Sequence, residues 1–247
     1  MKNIESWHPS KFVIRDNRLR ASRATNQVGI ASRLAADTAA HFYEVNLPKH
    51  TKGRLLDLGC GRVPLYGTYK PYVTEAICVD WPNTMHPNPH LDQAVDLNFP
   101  LPFESNSFDT IVLSDVLEHI RQPEQLWKEM YRVLAPNGKV LLNVPFYYWI
   151  HEEPFDYFRY TKYALKSMAE DAGFHILLLE PLGGVPHILA DVSAKTLVNM
   201  RFIGKFMAEW VQRFTRLFLK TGYGKRLFIS SSEHFPFGYS MVVQKPM

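Results

Sequence analysis

The sequence feature that most constrains the fold is one short run at residues 54–64, Arg-Leu-Leu-Asp-Leu-Gly-Cys-Gly-Arg-Val-Pro. An apolar segment ends in an acid and is followed at once by two glycines one residue apart. This pattern predicts a buried parallel strand that enters a tight turn. Glycine lets the backbone approach a ligand where a Cβ atom would clash, and Pro64 suits the first turn of a following helix. Together the strand, loop and helix predict a nucleotide-binding cradle.

A second apolar run, Ala76 to Val79, also ends in an acid, Asp80. An acid in this position, about twenty residues after the glycine loop, accepts hydrogen bonds from the two hydroxyls of a ribose. The dinucleotide fingerprint requires a third glycine where this chain has Pro64, so that match is incomplete. Asp57 would also place negative charge beside a pyrophosphate, whereas it favours a ligand that carries a sulfonium and an ammonium group.

These two stretches resemble motif I and the ribose-binding acid of the class I S-adenosylmethionine-dependent methyltransferases. The resemblance implies that S-adenosyl-L-methionine is the cofactor and that the chain is an enzyme. It also implies a position for each part of the cofactor: the methionyl part on the loop backbone at Gly59 and Gly61 and beside Ser114, the ribose on Asp80, and the adenine on Asp96 and Leu97. The remaining residues expected at this site are Asp57, Cys60 and Trp81.

The alternation of strand and helix patterns predicts an α/β fold with a doubly wound, seven-stranded, mostly parallel sheet of the Rossmann-like methyltransferase type. After the first strand, the expected strands are 76–80, 93–97, 108–114, 139–145, 174–179 and 239–243. In the family that the chain resembles, the last two strands pair as a reversed hairpin that closes the sheet. Here residues 181–237 lie between them, which is an unusually long connection.

This pattern divides the chain into four parts. We expect an N-terminal arm and cap helix at 1–52, the cofactor-binding methyltransferase core at 53–180, a basic amphipathic helical insertion at 181–237 and the final strand of the core at 238–247.

The composition excludes several other classes of protein. The chain has 46% hydrophobic and 21% charged residues, which is ordinary for a globular protein. No signal-peptide pattern is apparent and no apolar run approaches the ~18 residues of a membrane span, so a cytoplasmic location is expected. The two cysteines form no disulfide or zinc pattern. A net charge of +4 is too mild to indicate a nucleic-acid partner.

The sequence argues against a metal site at His86, His90 and Asp92. Pro87 and Pro89 interrupt the regular spacing that such a site would need. The sequence therefore predicts no metal site.

The candidate catalytic residues lie mainly in an aromatic and ionisable segment, 146–160, which follows the fifth strand. Open α/β sheets bind their ligands at this edge. From His151 to Thr161 the chain resembles a His-x-x-Pro-x-Asp-x-x-Arg-x-Thr pattern of uncharacterised bacterial methyltransferases from the same group. We predict that His151 is the base for a hydroxyl acceptor. Asp156 would orient His151 or bind the acceptor, and Arg159 would pair with a carboxylate or phosphate of the substrate.

Two structural alternatives accompany this assignment. Asp156 and Arg159 could form an ion pair that only shapes the loop. His119 is the second candidate base, but Glu118 and His119 could instead brace the loop behind the cofactor.

The insertion at 181–237 is basic, with eight Lys and Arg residues against three Asp and Glu. Its apolar residues recur at helical spacing along one face: Ile203, Phe206, Met207, Trp210, Phe214, Leu217 and Phe218. Such a stripe can pack on its own domain, lie in a membrane interface, or form a lid or dimer surface. We expect this segment to select the acceptor, with peripheral membrane contact through residues 186–220.

The sequence therefore predicts an S-adenosylmethionine-dependent methyltransferase that methylates an oxygen of a small-molecule, glycan or lipid-linked acceptor. The alternatives are a protein that binds the cofactor without catalysis and an NAD-dependent Rossmann enzyme.

Overall fold

The computed structural model describes residues 1–83 and 88–247. The N-terminal arm forms an antiparallel hairpin of β1 (Phe12–Arg15) and β2 (Arg18–Ala21). This hairpin was not predicted, because its apolar residues are few and the arginines between them dominate the sequence. Phe12, Leu19 and Ala21 are nevertheless buried, so the arm packs on the domain.

The main sheet contains seven strands within the described ranges. In chain order they are β3 (Gly53–Leu58), β4 (Val73–Asp80), β5 (Gln93–Ala94), β6 (Phe108–Ser114), β7 (Leu134–Pro145), β8 (His175–Leu182) and β9 (Gly238–Gln244). Their spatial order is β5-β4-β3-β6-β7-β9-β8. The pairs from β5 to β7 are parallel, whereas β9 is antiparallel to both of its neighbours. The predicted fold class is confirmed, including the reversed last strands.

Seven α-helices accompany these strands in the described residues: α1 (Arg33–His50), α2 (Tyr66–Tyr69), α3 (Pro123–Val133), α4 (Lys162–Asp171), α5 (Val185–Val198), α6 (Gly204–Phe218) and α7 (Gly222–Ser232). Local chemistry sets several of their ends. Pro123 occupies the first turn of α3, and the Thr161 hydroxyl accepts from Ala164 N–H at the start of α4.

Alternate residues of the central strands supply two separate cores. On one face, Leu56 and Leu58 pack with α3 and α4 residues such as Trp127 and Leu165. On the other face, Leu55 packs with residues of α1 and of the N-terminal hairpin. Because successive side chains of a strand point to opposite faces, the uninterrupted apolar run in β3 serves both cores. The glycine loop therefore follows a strand that is held from both sides.

Two predicted boundaries are wrong. The third strand was expected at 93–97, but β5 ends at Ala94. The side chain of Asp96 accepts a hydrogen bond from the backbone N–H of Asn98 at 2.9 Å, which favours a turn over an extended strand. The fifth strand was expected at 139–145, but β7 begins at Leu134.

The insertion forms the predicted helices, α5 to α7, between β8 and β9. Helix α6 turns Gly204, Ala208 and Gln212 inward. Gln212 is buried, and it joins α6 to the start of the cap helix: its Oε1 accepts from Leu34 N–H at 2.7 Å and its Nε2 donates to the Ala31 carbonyl at 2.5 Å. We call this pair of hydrogen bonds the Gln212 clasp.

The aromatic stripe of α6 mostly faces outward. Phe206 and Phe214 are 65% and 60% exposed. The alternative in which the stripe packs on its own domain therefore does not hold for these two side chains. None of the helices in the described ranges combines the length and apolarity that crossing a bilayer requires.

Candidate active site

A cavity of about 780 Å³ opens at the edge of the sheet where the parallel strands end. Its wall includes all nine residues that the sequence assigned to the cofactor: Asp57, Gly59, Cys60, Gly61, Asp80, Trp81, Asp96, Leu97 and Ser114. His119 and His151 also line it, whereas Asp156 and Arg159 do not. His90 is buried away from this wall and His86 lies outside the described residues.

The glycine loop reaches the cavity in a conformation that glycine favours. Gly59 has φ +67° and Gly61 has φ +50°. A Cβ atom at position 59 would lie 2.5 Å from a methyl group of Val116, so this position needs glycine for space as well as for its backbone angle. The N–H of Gly61 donates to Oδ2 of Asp80 at 2.9 Å. This bond joins the loop after β3 to the end of β4.

Asp57 and Asp80 give this end of the cavity negative charge. The second oxygen of Asp80 accepts from Trp81 N–H at 2.7 Å. Asp57 is buried and accepts from the Tyr69 hydroxyl at 3.0 Å. Burial raises the pKa of Asp57 to about 7, and the nearby charge of Asp80 adds to this rise, while the Tyr69 hydrogen bond opposes it. A bound cation would favour the ionised form of Asp57.

One important residue of the site, Asn143 in β7, was missed by sequence reasoning. Its Oδ1 accepts from the hydroxyls of Tyr43 at 2.7 Å and Ser114 at 3.0 Å. Its Nδ2 donates to Oδ1 of Asp115 at 2.5 Å, and the other oxygen of Asp115 pairs with Lys11 at 2.8 Å. Asn143 thus fixes the ends of β6 and β7. The sequence signal that could have indicated this role is the single amide within the otherwise apolar run 140–145.

His119, His151 and Glu118 form one cluster that also lines the cavity. The two imidazole rings meet edge to face with centroids 4.8 Å apart. Their Nε2 atoms lie 3.7 Å and 3.8 Å from Oε1 of Glu118. The Glu118 side chain is fully buried, and burial, together with the charge of Asp115, raises its pKa well above the ordinary value. Burial, and next the neighbouring His119, lower the pKa of His151.

Asp156 and Arg159 lie behind His151. The guanidinium of Arg159 donates to both oxygens of Asp156, at 2.5 Å and 2.6 Å. Burial would raise the pKa of Asp156, but the hydrogen bonds from Arg159 and from His151 N–H outweigh it and lower the pKa to about 2. Arg159 also donates to the carbonyls of Trp149 and Phe158. This arrangement corresponds to the alternative in which the Asp156–Arg159 pair shapes the loop.

Comparison with known proteins identifies the core. A family model described as "Methyltransferase domain" matches residues 56–142, the segment that runs from β3 into β7. Residues 56–142 therefore belong to a methyltransferase domain of the class I, S-adenosylmethionine-dependent type. An uncharacterised methyltransferase of Mycobacterium tuberculosis is 35% identical over 121 residues, which cover 44% of this chain and 48% of the relative. The alignments span less than half the length of the curated relatives.

Solved structures share the fold of this methyltransferase domain. The [4+2]-cyclase SpnF has a TM-score of 0.57 at 18% identity, with 87% of this chain and 83% of that chain covered. Phosphoethanolamine N-methyltransferase 2 of Haemonchus contortus, solved with phosphomonomethylethanolamine and S-adenosylhomocysteine, has a TM-score of 0.50 at 16% identity. The match covers 91% of this chain and 59% of the Haemonchus protein. At these identities the likeness shows the fold alone.

S-adenosylmethionine is the cofactor of this domain, and the cavity fits it. The methyltransferase loop leaves no room for a Cβ atom at Gly59, and Asp80 ends the strand that follows. The buried carboxylate of Asp57 lies beside the loop, where it matches a cationic ligand better than a pyrophosphate. The roles of the individual residues toward the cofactor remain predictions.

Asp80→Ala tests the ribose assignment. The substitution removes an acceptor for the two ribose hydroxyls and for Gly61 N–H. Since a hydrogen bond to a charged group contributes about 1.5–3 kcal/mol, we expect S-adenosylmethionine to bind at least about tenfold more weakly by isothermal titration calorimetry. Glu75→Ala is the control, because Glu75 lies on the same strand and forms an exposed pair with Arg54. Wild-type affinity in Asp80→Ala would refute the assignment.

Asp57→Asn tests the electrostatic match to the cofactor. The raised pKa makes Asp57 largely protonated at pH 6 and ionised at pH 8 in the free protein. We therefore expect the affinity advantage of wild type over Asp57→Asn to grow between pH 6 and pH 8, as measured by calorimetry. Asp171→Asn, an exposed change, controls for net charge. An advantage that does not change with pH would contradict the expectation.

The same variant, Asp57→Asn, should stabilise the cofactor-free protein at pH 8, although it weakens cofactor binding there. The pKa of Asp57 is higher in the folded protein than in the unfolded one. Its stabilising contribution is therefore complete below the unfolded pKa and is lost as pH rises through about 7. At pH 8, Asp57→Asn should therefore unfold at a higher temperature than wild type. A lower melting temperature at pH 8 would count against a raised pKa.

Proposed function

We propose that the protein is an active methyltransferase that transfers the methyl group of S-adenosylmethionine to an oxygen of a small-molecule, glycan or lipid-linked acceptor. One observation carries this proposal: a single cavity is lined both by the cofactor loop and by the cluster of Glu118, His119 and His151. An acceptor that contacts the cluster therefore shares an enclosed space with the cofactor.

The bound cofactor supplies a methyl group that its positively charged sulfur makes electrophilic. The chain's task is to hold an acceptor oxygen in line with that group, about 3 Å away. Ser114 and Asn143 are hydrogen-bonded to each other in the cavity wall, and Trp81 packs edge to face on Phe155 with ring centroids 4.7 Å apart. His151 lies on the cavity wall, where an unprotonated ring can take the acceptor's proton.

Asp156 and Arg159 act in this proposal as positioning residues. Oδ2 of Asp156 lies 3.2 Å from Nδ1 of His151 and accepts from the backbone N–H of the same residue at 3.0 Å. Because Arg159 holds both oxygens of Asp156, the carboxylate cannot turn away from the ring. A carboxylate on one ring nitrogen fixes the orientation of the other, which here is the nitrogen directed toward Glu118.

His151→Ala separates chemistry from cofactor binding. We expect transfer of a radiolabelled methyl group to an acceptor found by screening to fall by about 10²–10⁴-fold, the usual contribution of a general base. The affinity for S-adenosylmethionine should not change, and NAD should not bind to wild type. His175→Ala is the control, since His175 is exposed on β8. Unchanged transfer in His151→Ala would move the base to His119.

A complete absence of transfer in wild type, with tight cofactor binding, would instead support a non-catalytic role or a different reaction. That outcome is a real alternative, because one solved structure with this fold is a cyclase.

We also propose that α6 brings the protein to an anionic membrane surface, where a lipid-linked acceptor would be presented. Phe206, Trp210 and Phe214 form a ladder of rings, with centroids 5.7 Å and 5.2 Å apart, on the outer side of the helix. The exposed side chains of Lys205, Arg213 and Lys220 lie on the same helix or just after it. Exposed aromatic rings bordered by basic residues suit the interface between anionic headgroups and acyl chains.

The membrane proposal predicts that the protein sediments with vesicles of anionic phospholipid, and that added salt weakens this binding. The double change Phe206→Ser and Phe214→Ser should reduce the sedimented fraction severalfold. Ile14→Ser with Phe99→Ser is a matched control, because these side chains are 70% and 64% exposed on other parts of the surface. Equal sedimentation of the two double variants would exclude α6 as the contact.

A further inference from the structure

The side chain of Glu118 is unusual because it is fully buried and neither of its oxygens has a hydrogen-bond partner within residues 1–83 and 88–247. It belongs to the short turn Leu117–His119 that follows β6, and it lines the cavity. A buried carboxylate without a partner is costly. A partner beyond those that the described residues provide would remove this cost.

The neighbours of Glu118 present lone pairs to it. Nδ1 of His119 lies 2.9 Å from the carbonyl oxygen of Phe155. A carbonyl can only accept, so this nitrogen carries the ring proton of a neutral His119. Its Nε2, 3.7 Å from Oε1 of Glu118, then presents a lone pair.

His151 is held to Asp156 by a hydrogen bond from its backbone N–H and by an ion-pair contact of its ring. Its Nδ1 lies 3.2 Å from the Asp156 carboxylate, which Arg159 holds in place. The other nitrogen, Nε2, lies 3.8 Å from Oε1 of Glu118. Two imidazole nitrogens and one carboxylate therefore converge on one point, and each ring has an acceptor beside its far nitrogen.

We propose that Glu118, His119 and His151 bind a divalent transition-metal ion, with Zn²⁺ as the best match. Ligands ~2.1 Å from a tetrahedral centre lie about 3.4 Å from one another. The two histidine-to-glutamate distances are within about half an ångström of that value, and the three ligand atoms all lie within 4.8 Å of one another. Two His and one Glu form a recurrent ligand set of catalytic zinc, in which a fourth position stays open.

The surroundings of the cluster support the same assignment. Histidine ligands of metal ions almost always donate their second nitrogen to a carboxylate or a backbone carbonyl. The carbonyl of Phe155 fills this role for His119. For His151 the carboxylate of Asp156 lies 3.2 Å from Nδ1, an ion-pair contact that lacks hydrogen-bond geometry. Spacing in the sequence does not reveal this site, because Glu118 and His119 are separated from His151 by more than thirty residues and spacing rules apply to ligands that are close in sequence.

The role of the ion toward the acceptor rests on the proposed function, whereas the binding of the ion does not. The open position of the ion would face the cavity and take the acceptor oxygen. A bound ion lowers the pKa of a coordinated hydroxyl, whose proton would then leave to water. In the ion-bound enzyme His151 would be a ligand instead of the base described above, and its substitution would reduce methyl transfer through loss of the ion.

The test uses the full chain without an affinity tag, freed of metal by a chelator and then titrated with Co²⁺. We expect one Co²⁺ per chain, visible d–d absorption, and displacement by Zn²⁺. Glu118→Gln and His151→Gln should each lose the stoichiometric binding. Asp156→Asn should weaken it by about 10–100-fold, as expected for a residue that orients a ligand. His175→Ala should bind like wild type.

Circular dichroism and titration with S-adenosylmethionine show whether each variant is folded. The proposal is overturned if folded wild type does not bind Co²⁺, or if Glu118→Gln and His151→Gln bind it as wild type does. Binding by wild type that these two variants lose supports the proposal even if no acceptor is methylated. If the chelator-treated enzyme transfers methyl groups and does not bind Co²⁺ when titrated, the proposed function stays intact and the metal site is overturned.

Discussion

The active site depends first on one hydrogen bond, from the backbone N–H of Gly61 to the carboxylate of Asp80. It links the loop after β3 to the end of β4, its neighbour in the sheet. Both strands supply residues to the two cores, so the bond joins rigid elements. It fixes the carboxylate of Asp80 beside the glycine loop, where we predict that the ribose binds.

Two buried carboxylates line this cavity. Asp57 precedes the loop that we predict to bind the cofactor, and Glu118 belongs to the cluster that we propose to receive the acceptor. Each costs the folded protein stability in the absence of a ligand, because burial disfavours a charged group. A positively charged partner would therefore stabilise the ionised form of each carboxylate. Local sacrifices of stability of this kind are expected at functional sites rather than in a structural core.

The sequence predicted the fold well, because the fold rests on local patterns, and the residues that it assigned to the cofactor lie together, although their roles stay predictions. A strand that ends in Asp57 and two glycines has few alternative structures, and all nine cofactor residues line one cavity. The acceptor end could not be predicted in the same way. Whether Glu118 meets His151 depends on how the segment after β7 folds back over the turn after β6. The role of Asn143 likewise depends on its register beside Ser114.

The Gln212 clasp has a consequence for protein engineering. Residues 29–39 of the cap region form part of the cavity wall, and α6 holds this region through two buried hydrogen bonds. The insertion is therefore not an independent module. A chimaera that exchanged α5 to α7 for those of a relative would leave a backbone amide and a carbonyl of the cavity wall unpaired. Such an exchange must carry a matching side chain at position 212, or bring the start of α1 with it.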